Sequence, residues 1–181
     1  MLKPDQKLAI HFFEQIDKLN GKMGHGVLRY SRNPIACAID LNHGGRSTRD
    51  LLDFGPDVPI YSNVESAMSA GGEVLILGMA PSGGRLPPEM VEEVDRAVSA
   101  GMSVINGLHE QLGPRYPNLP EGQWIWDIRQ EPKDLGIAWA RAAKLSNRRA
   151  LLVGTDMAVG KMTAGLEIWH AALRADVRAD F

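Results

Sequence analysis

Apolar positions in this chain come in short runs separated by polar loops rich in glycine and proline. From Lys3 to Lys18, Leu8, Ile10, Phe12, Phe13 and Ile16 follow a proline at residue 4, a pattern that predicts a helix. "GKMGHG" should break that helix, and "VLRY" predicts a short strand after it. "PIACAID" (Pro34–Asp40) reads as a short buried strand, and "VPIYS" as another. Ser62 with Glu65 forms a capping box, which predicts a helix to about Ala70. "EVLILGMA" (Glu73–Ala80) is the clearest strand. Pro88 to Ala100 carries Val91, Val94 and Val98 at helical spacing, with acidic residues in the first turn and Gly101 beyond the last. "MSVINGL" and "WIWDIRQ" predict strands, "DLGIAWARAAKL" a helix and "RRALLVGTD" a strand. A last helix is predicted from Gly160 onward.

Strands alternating with helices predict an α/β fold, a Rossmann-like parallel sheet with helices on both faces. In such sheets chemistry collects where strands end and helices begin. Three loops fit that place: Asp40–Asp50, Pro81–Pro88 and Gly154–Gly160. The basic stretch "KLSNRR" (Lys144–Arg149) marks a boundary. Residues 1–146 would form the Rossmann-like domain. Residues 147–181 would be the first strand-loop-helix of a P-loop NTPase-like domain, too little to bury a core alone.

Composition narrows the function classes. The 181 residues leave room for a real core, and 44% apolar with 23% charged residues is ordinary for a globular protein. A net charge of −2 without a dense basic run argues against nucleic acid as a partner. No apolar run is long enough for a membrane span, and the N-terminus is too polar for a signal peptide, so the expected location is cytoplasmic. Cys37 is the single cysteine and reads as a core residue; cysteine-based metal sites are excluded. The expected partner is a small-molecule substrate, with homo-oligomerisation left open.

"LLVGTDMAVGKMTAG" (Leu151–Gly165) carries the plainest chemistry. A strand would deliver the chain to a glycine turn whose amides cradle phosphate oxygens. The next helix would add its positive end, and Lys161 a full charge. Met162, Leu166, Trp169 and Leu173 would form an apolar stripe for docking. The spacing is Gly-x5-Gly-Lys, one residue longer than the usual form, and resembles the dethiobiotin synthetase type of P-loop. Met162 stands where Ser or Thr usually holds Mg²⁺, and a thioether does not replace that hydroxyl for a hard cation. Thr163 lies one position later, about 100° around the helix. Anion binding is therefore expected, without orthodox Mg-ATP hydrolysis.

"GKMGHGVLRYS", "LILGMAPSGGRLPPE", "VINGLHEQLG", "WDIR" and "LLVGTDMAVGKMTAGLEI", in that order, resemble the D-glutamate N-acetyltransferase-like family. The resemblance runs from about Gly21 to about Arg174. It implies a Rossmann-like N-terminal domain before a P-loop domain. It also implies transfer of an acetyl group from acetyl-CoA to the amino group of D-glutamate, in D-amino-acid catabolism. Family members continue well beyond the P-loop helix, so this chain is expected to be a fragment or a truncated product. Under this reading Gly154, Thr155, Asp156, Gly160, Lys161 and Thr163 contact CoA phosphates. Two other readings stay open: an ATP- and Mg-dependent enzyme of the dethiobiotin synthetase kind, and a nucleotide-binding module without catalysis.

Further candidates lie in the first domain. Ser82, Gly83 and Gly84 read as an anion-binding turn, with Arg85 for a substrate carboxylate. Acetyl transfer needs a neutral amine, which makes His109 the candidate general base and Glu110 its alternative. Asp127 and Arg129 share one strand face, as a clamp or a plain ion pair. Asp40 ends a strand where an acid binds ribose, but no Gly-x-Gly-x-x-Gly precedes it in a strand-turn-helix context. His11, His25, His43 and His170 lack metal-ligand spacing, and no metal site is expected.

Overall fold

The computed structural model describes residues 2–156 and 159–181, and of Ser82 the backbone alone. It divides into two compact units, one ending at Glu131 and one running from Pro132 to Phe181. The first unit therefore ends ahead of the basic stretch at Lys144–Arg149.

The first unit is built on strands β1 (Leu8–His11), β2 (Ile35–Ile39), β3 (Ile60–Tyr61), β4 (Val74–Leu77), β5 (Ser103–Asn106) and β6 (Ile125–Asp127). All pair in parallel, in the order β3-β2-β1-β4-β5-β6. That is the doubly wound Rossmann order, with its switch point between β1 and β4. Helices α1 (Lys22–Tyr30), α2 (Val64–Ser69) and α3 (Pro88–Ser99) supply the layers. Side-chain alternation along the strands splits the core in two. Ala9, Cys37, Ile39, Leu75 and Val104 join Val64 and Ala67 of α2 and Val94 and Ala97 of α3. Leu8, Ile10, Ala38, Val74 and Ile76 join Leu28 of α1 in a second cluster.

The N-terminal expectation is overturned. Leu8–His11 is the central strand, not part of a helix, and all four residues are buried. A strand covered on both faces shows no polar alternation, and Leu8, Phe12 and Ile16 happen to fall at helical spacing. "GKMGHGVLRY" is then the helix that follows β1, not a breaker and a strand. Its glycines allow close approach: the Gly24 amide donates to the Gly78 carbonyl at 2.6 Å. A Cβ on residue 24 would stand 2.4 Å from the Phe12 ring. The cap of α2 is also displaced by one residue, since the Asn63 side chain accepts from the Ser66 amide at 2.8 Å.

The second unit holds α4 (Lys161–Arg174). The helix expected at Asp134–Leu145 reduces to one 3-10 turn at Arg141–Lys144. Leu135, Ile137 and Trp139 are exposed, so no packing sustains a short helix there. The strand expected before the glycine loop is irregular chain without a partner strand among the described residues. Leu151 and Val153 are 86% and 80% exposed, and a strand without a neighbour has nothing to bond its amides. The buried face of α4 is centred on Gly165, where a Cβ would meet the Phe181 ring at 2.6 Å and Leu152 at 3.6 Å. Met162 and Leu173 of the expected stripe are exposed. Trp169 Nε1 donates to the Ala179 carbonyl at 3.1 Å, folding residues 176–181 back along the helix.

Candidate functional site

The carboxyl ends of β4 and β5 and the chain beyond β6 enclose a cleft of about 320 Å³. Gly83 and Gly84 come from the loop after β4, Gly107 and His109 from the loop after β5, Arg129 from beyond β6, and Met23 from α1. Glycine is required at two of these places. Gly84 has φ +66, and a Cβ there would reach within 2.4 Å of the His109 ring; a Cβ on Gly107 would collide with the Met23 methyl. The two loops are stitched together. The amides of His109 and Glu110 both donate to the Gly84 carbonyl, at 3.2 and 3.3 Å. The Glu110 carboxylate accepts from the Leu86 amide at 3.0 Å.

Arg129 enters by two bonds. Its Nε donates to the Gly107 carbonyl at 2.6 Å, and one terminal nitrogen lies 3.1 Å from His109 Nε2. Beneath the cleft, the buried Asp127 carboxylate holds the β5 loop in shape. It accepts from Asn106 Nδ2 at 2.7 Å and from the amides of Leu112 and Gly113 at 2.9 and 2.8 Å. Asn106 in turn accepts from the Leu108 amide and donates to the Glu110 carbonyl. Asp127 and Arg129 therefore make separate contacts, the first internal and the second in the cleft.

Two more polar groups sit at the carboxyl edge of the sheet. Asp40, fully buried, accepts from the amides of Ile16 and Asn42 and from His43 Nδ1 at 2.8 Å. These bonds commit the carboxylate to its own loops, which departs from a ribose-binding role. His11 ends β1 with its Nδ1 accepting from the Phe13 amide at 3.2 Å. Its Nε2 faces Glu93 of α3 at 3.5 Å, an electrostatic contact rather than a formed hydrogen bond. Burial holds the His11 pKa below the ordinary imidazole value despite Glu93. The contact with His11 lowers that of Glu93. Burial alone pushes the Cys37 thiol up to about 12, leaving it inert. His25 Nε2 donates to the Ile16 carbonyl, a structural bond, and His170 lies beside Trp169 on α4. Among the described residues no group of three or more His, Cys, Asp or Glu is placed to hold a metal ion.

In the second unit, Lys161 opens α4 and its Nζ folds back to the Asp156 carbonyl. Gly160, at φ +90, makes the turn into the helix. A Cβ on Gly154 would crowd Val159 at 2.9 Å and Lys161 Cδ at 3.1 Å. Met157 and Ala158, inside this loop, lie outside the described residues.

A family model described as "Domain of unknown function (DUF1611_N) Rossmann-like domain" matches residues 41–131, and its P-loop companion matches residues 136–181. The chain belongs to the DUF1611 family. A solved DUF1611 protein from Anabaena variabilis is 42% identical, with a TM-score of 0.85 over 94% of this chain and 51% of that one. A Pseudoalteromonas protein named D-glutamate N-acetyltransferase is 30% identical over 99% of this chain and 52% of its own length. One of the same name from Tritonibacter scottomollicae is 32% identical over 57% of this chain and 32% of its own length. The chain thus spans about half the length of the first of these relatives. No helix among the described residues is long and apolar enough to cross a membrane.

Within this DUF1611 chain, His109, Gly83 and Gly84 of the sequence-predicted residues line the cleft. Arg85 is exposed and outside the lining, and the Glu110 carboxylate is turned to Leu86. The Ser82 side chain lies outside the described residues. Met23 was missed because the helix that carries it was misread. Gly154, Thr155, Asp156, Gly160, Lys161 and Thr163 all belong to the second unit.

Proposed function

We propose that this chain is part of an N-acetyltransferase that moves an acetyl group from acetyl-CoA to the amino group of D-glutamate or a similar amino acid. The observation that carries this reading is the relative named D-glutamate N-acetyltransferase, which aligns with 99% of the chain. In that reaction an N–C bond forms as the thioester C–S bond breaks. Of the two protons the substrate ammonium loses, one ends on the departing sulfur and one on a base.

The residues fit the division of labour. Gly160, at φ +90, turns the chain into α4, and Lys161 stands at the helix mouth. Gly154, Thr155, Asp156, Gly160, Lys161 and Thr163 would hold CoA phosphates, whose thioester supplies the acetyl group. Met162 suits this role, because acyl transfer needs no Mg²⁺ at that position. The cleft, at the small end of ligand pockets, suits an amino acid. His109 stands in it as the candidate proton acceptor, with Glu110 beside it.

The test is mass spectrometry of the products after incubating the intact protein with acetyl-CoA and D-glutamate, with and without EDTA. N-Acetyl-D-glutamate formed in EDTA is the expected result. Mg-dependent ATP turnover without acetylated product would replace the reading with an ATP-dependent enzyme. Saturable CoA or nucleotide binding without any product would leave a binding module.

A further inference from the structure

Arg129 and His109 meet in the cleft with an unbalanced charge. A guanidinium keeps its protons in any folded protein. At 3.1 Å the Arg129 nitrogen therefore donates and His109 Nε2 accepts. This places the proton of the neutral ring on Nδ1.

The surroundings do not relieve that charge. Among the described residues no carboxylate lies within ion-pair reach of Arg129. The loop after β4 carries Arg85, also cationic and exposed. The carboxylate next to His109 belongs to Glu110 and is bonded to the Leu86 amide. From α1 comes the uncharged Met23. The bond from Nε to the Gly107 carbonyl holds the guanidinium in one orientation.

We infer that Arg129 is the seat for a carboxylate of the substrate, and that the carboxylate takes the place of His109 on the guanidinium. The anion accepts from the guanidinium in place of the imidazole, which frees the Nε2 lone pair of His109. No covalent bond changes. A carboxylate fits better than a CoA phosphate because the cleft is small. The inference rests on the proposed function only for the ligand being a dicarboxylic amino acid.

Glutarate is the probe, since it has both carboxylates and no amine to acetylate. Titration calorimetry measures its affinity. The expected result is saturable binding. Arg129→Gln should weaken binding by about tenfold or more, and Arg129→Lys by less. His109→Gln should still bind, since the guanidinium is kept. Circular dichroism confirms that each variant is folded; Arg129→Lys keeps the test alive if Arg129→Gln is not. Equal binding of the neutral diamide, tighter binding of inorganic phosphate, or unchanged affinity in Arg129→Gln would each overturn the inference. Glutarate binding without acetylated product sinks the proposed function and spares the seat. Product formed with unchanged KM in Arg129→Gln does the reverse.

Discussion

Gly84 and His109 touch so closely that a Cβ on residue 84 would stand 2.4 Å from the imidazole Cδ2. Gly84→Ala should therefore act twice, straining a backbone at φ +66 and displacing the ring. A loss of about 1–3 kcal/mol is expected, together with weaker glutarate binding. Gly83→Ala, at φ +79 but with open space around it, should carry only the strain and leave the ring in place. Urea denaturation and calorimetry on the two variants check this.

The Asp127 carboxylate is the internal post of the β5 loop. Asp127→Ala leaves the amides of Leu112 and Gly113 and the Asn106 side chain without their acceptor. A loss of about 3–5 kcal/mol is expected, at the level of breaking a buried charged network. Amide hydrogen exchange should accelerate first at residues 112 and 113.

Acid should weaken the fold in two stages. The folded pKa of His11 lies below its ordinary 6.5, so stability falls as pH drops below about 6.5, where the unfolded chain gains a proton that the folded one refuses. Glu93 is also depressed, so its contribution holds above its ordinary 4.5 and is lost as pH falls through the folded value. Denaturation midpoints against pH should show the first stage in the parent and not in His11→Gln.

Phe13 and Glu14 follow β1 with φ of +50 and +63, a left-handed pair without glycine. Glu14→Gly relieves one of them, and a gain of up to about 1 kcal/mol is expected. Phe13→Gly should destabilise instead, because the buried ring stacks on His11 at 3.6 Å. Thermal melts of the two variants decide the sign of each.

Lys161 Nζ bonds the loop carbonyl of Asp156 on an exposed part of the second unit. Lys161→Ala should weaken CoA binding by about tenfold or more while shifting the melting temperature little. Equal affinity in parent and variant would contradict phosphate binding at this loop.

Much of the Rossmann layer was legible in the sequence because β2, β4 and β5 are short apolar runs between turn residues, and α3 has clear spacing and caps. The failures share a cause. β1 is covered on both faces, so its pattern lacked the alternation that marks a strand, and misreading it hid α1 and Met23. Residues 132–154 carry local helix and strand signals that lack the packing to realise them. His109 was legible as a loop histidine after a strand. Its pairing with Arg129 was not, because a contact across 20 residues leaves no local trace. The same holds for the bonds from the Ile16 amide to Asp40 and from Asn106, Leu112 and Gly113 to Asp127, two acids whose charge invited ligand roles.

The backbone bond from Gly24 to Gly78 locks α1 to the end of β4, so the Met23 wall and the β4 rim of the cleft are one stiff piece. The opposite wall is pinned as well, since the Gly107 carbonyl holds the Arg129 guanidinium. A guest therefore meets a mould set before its arrival.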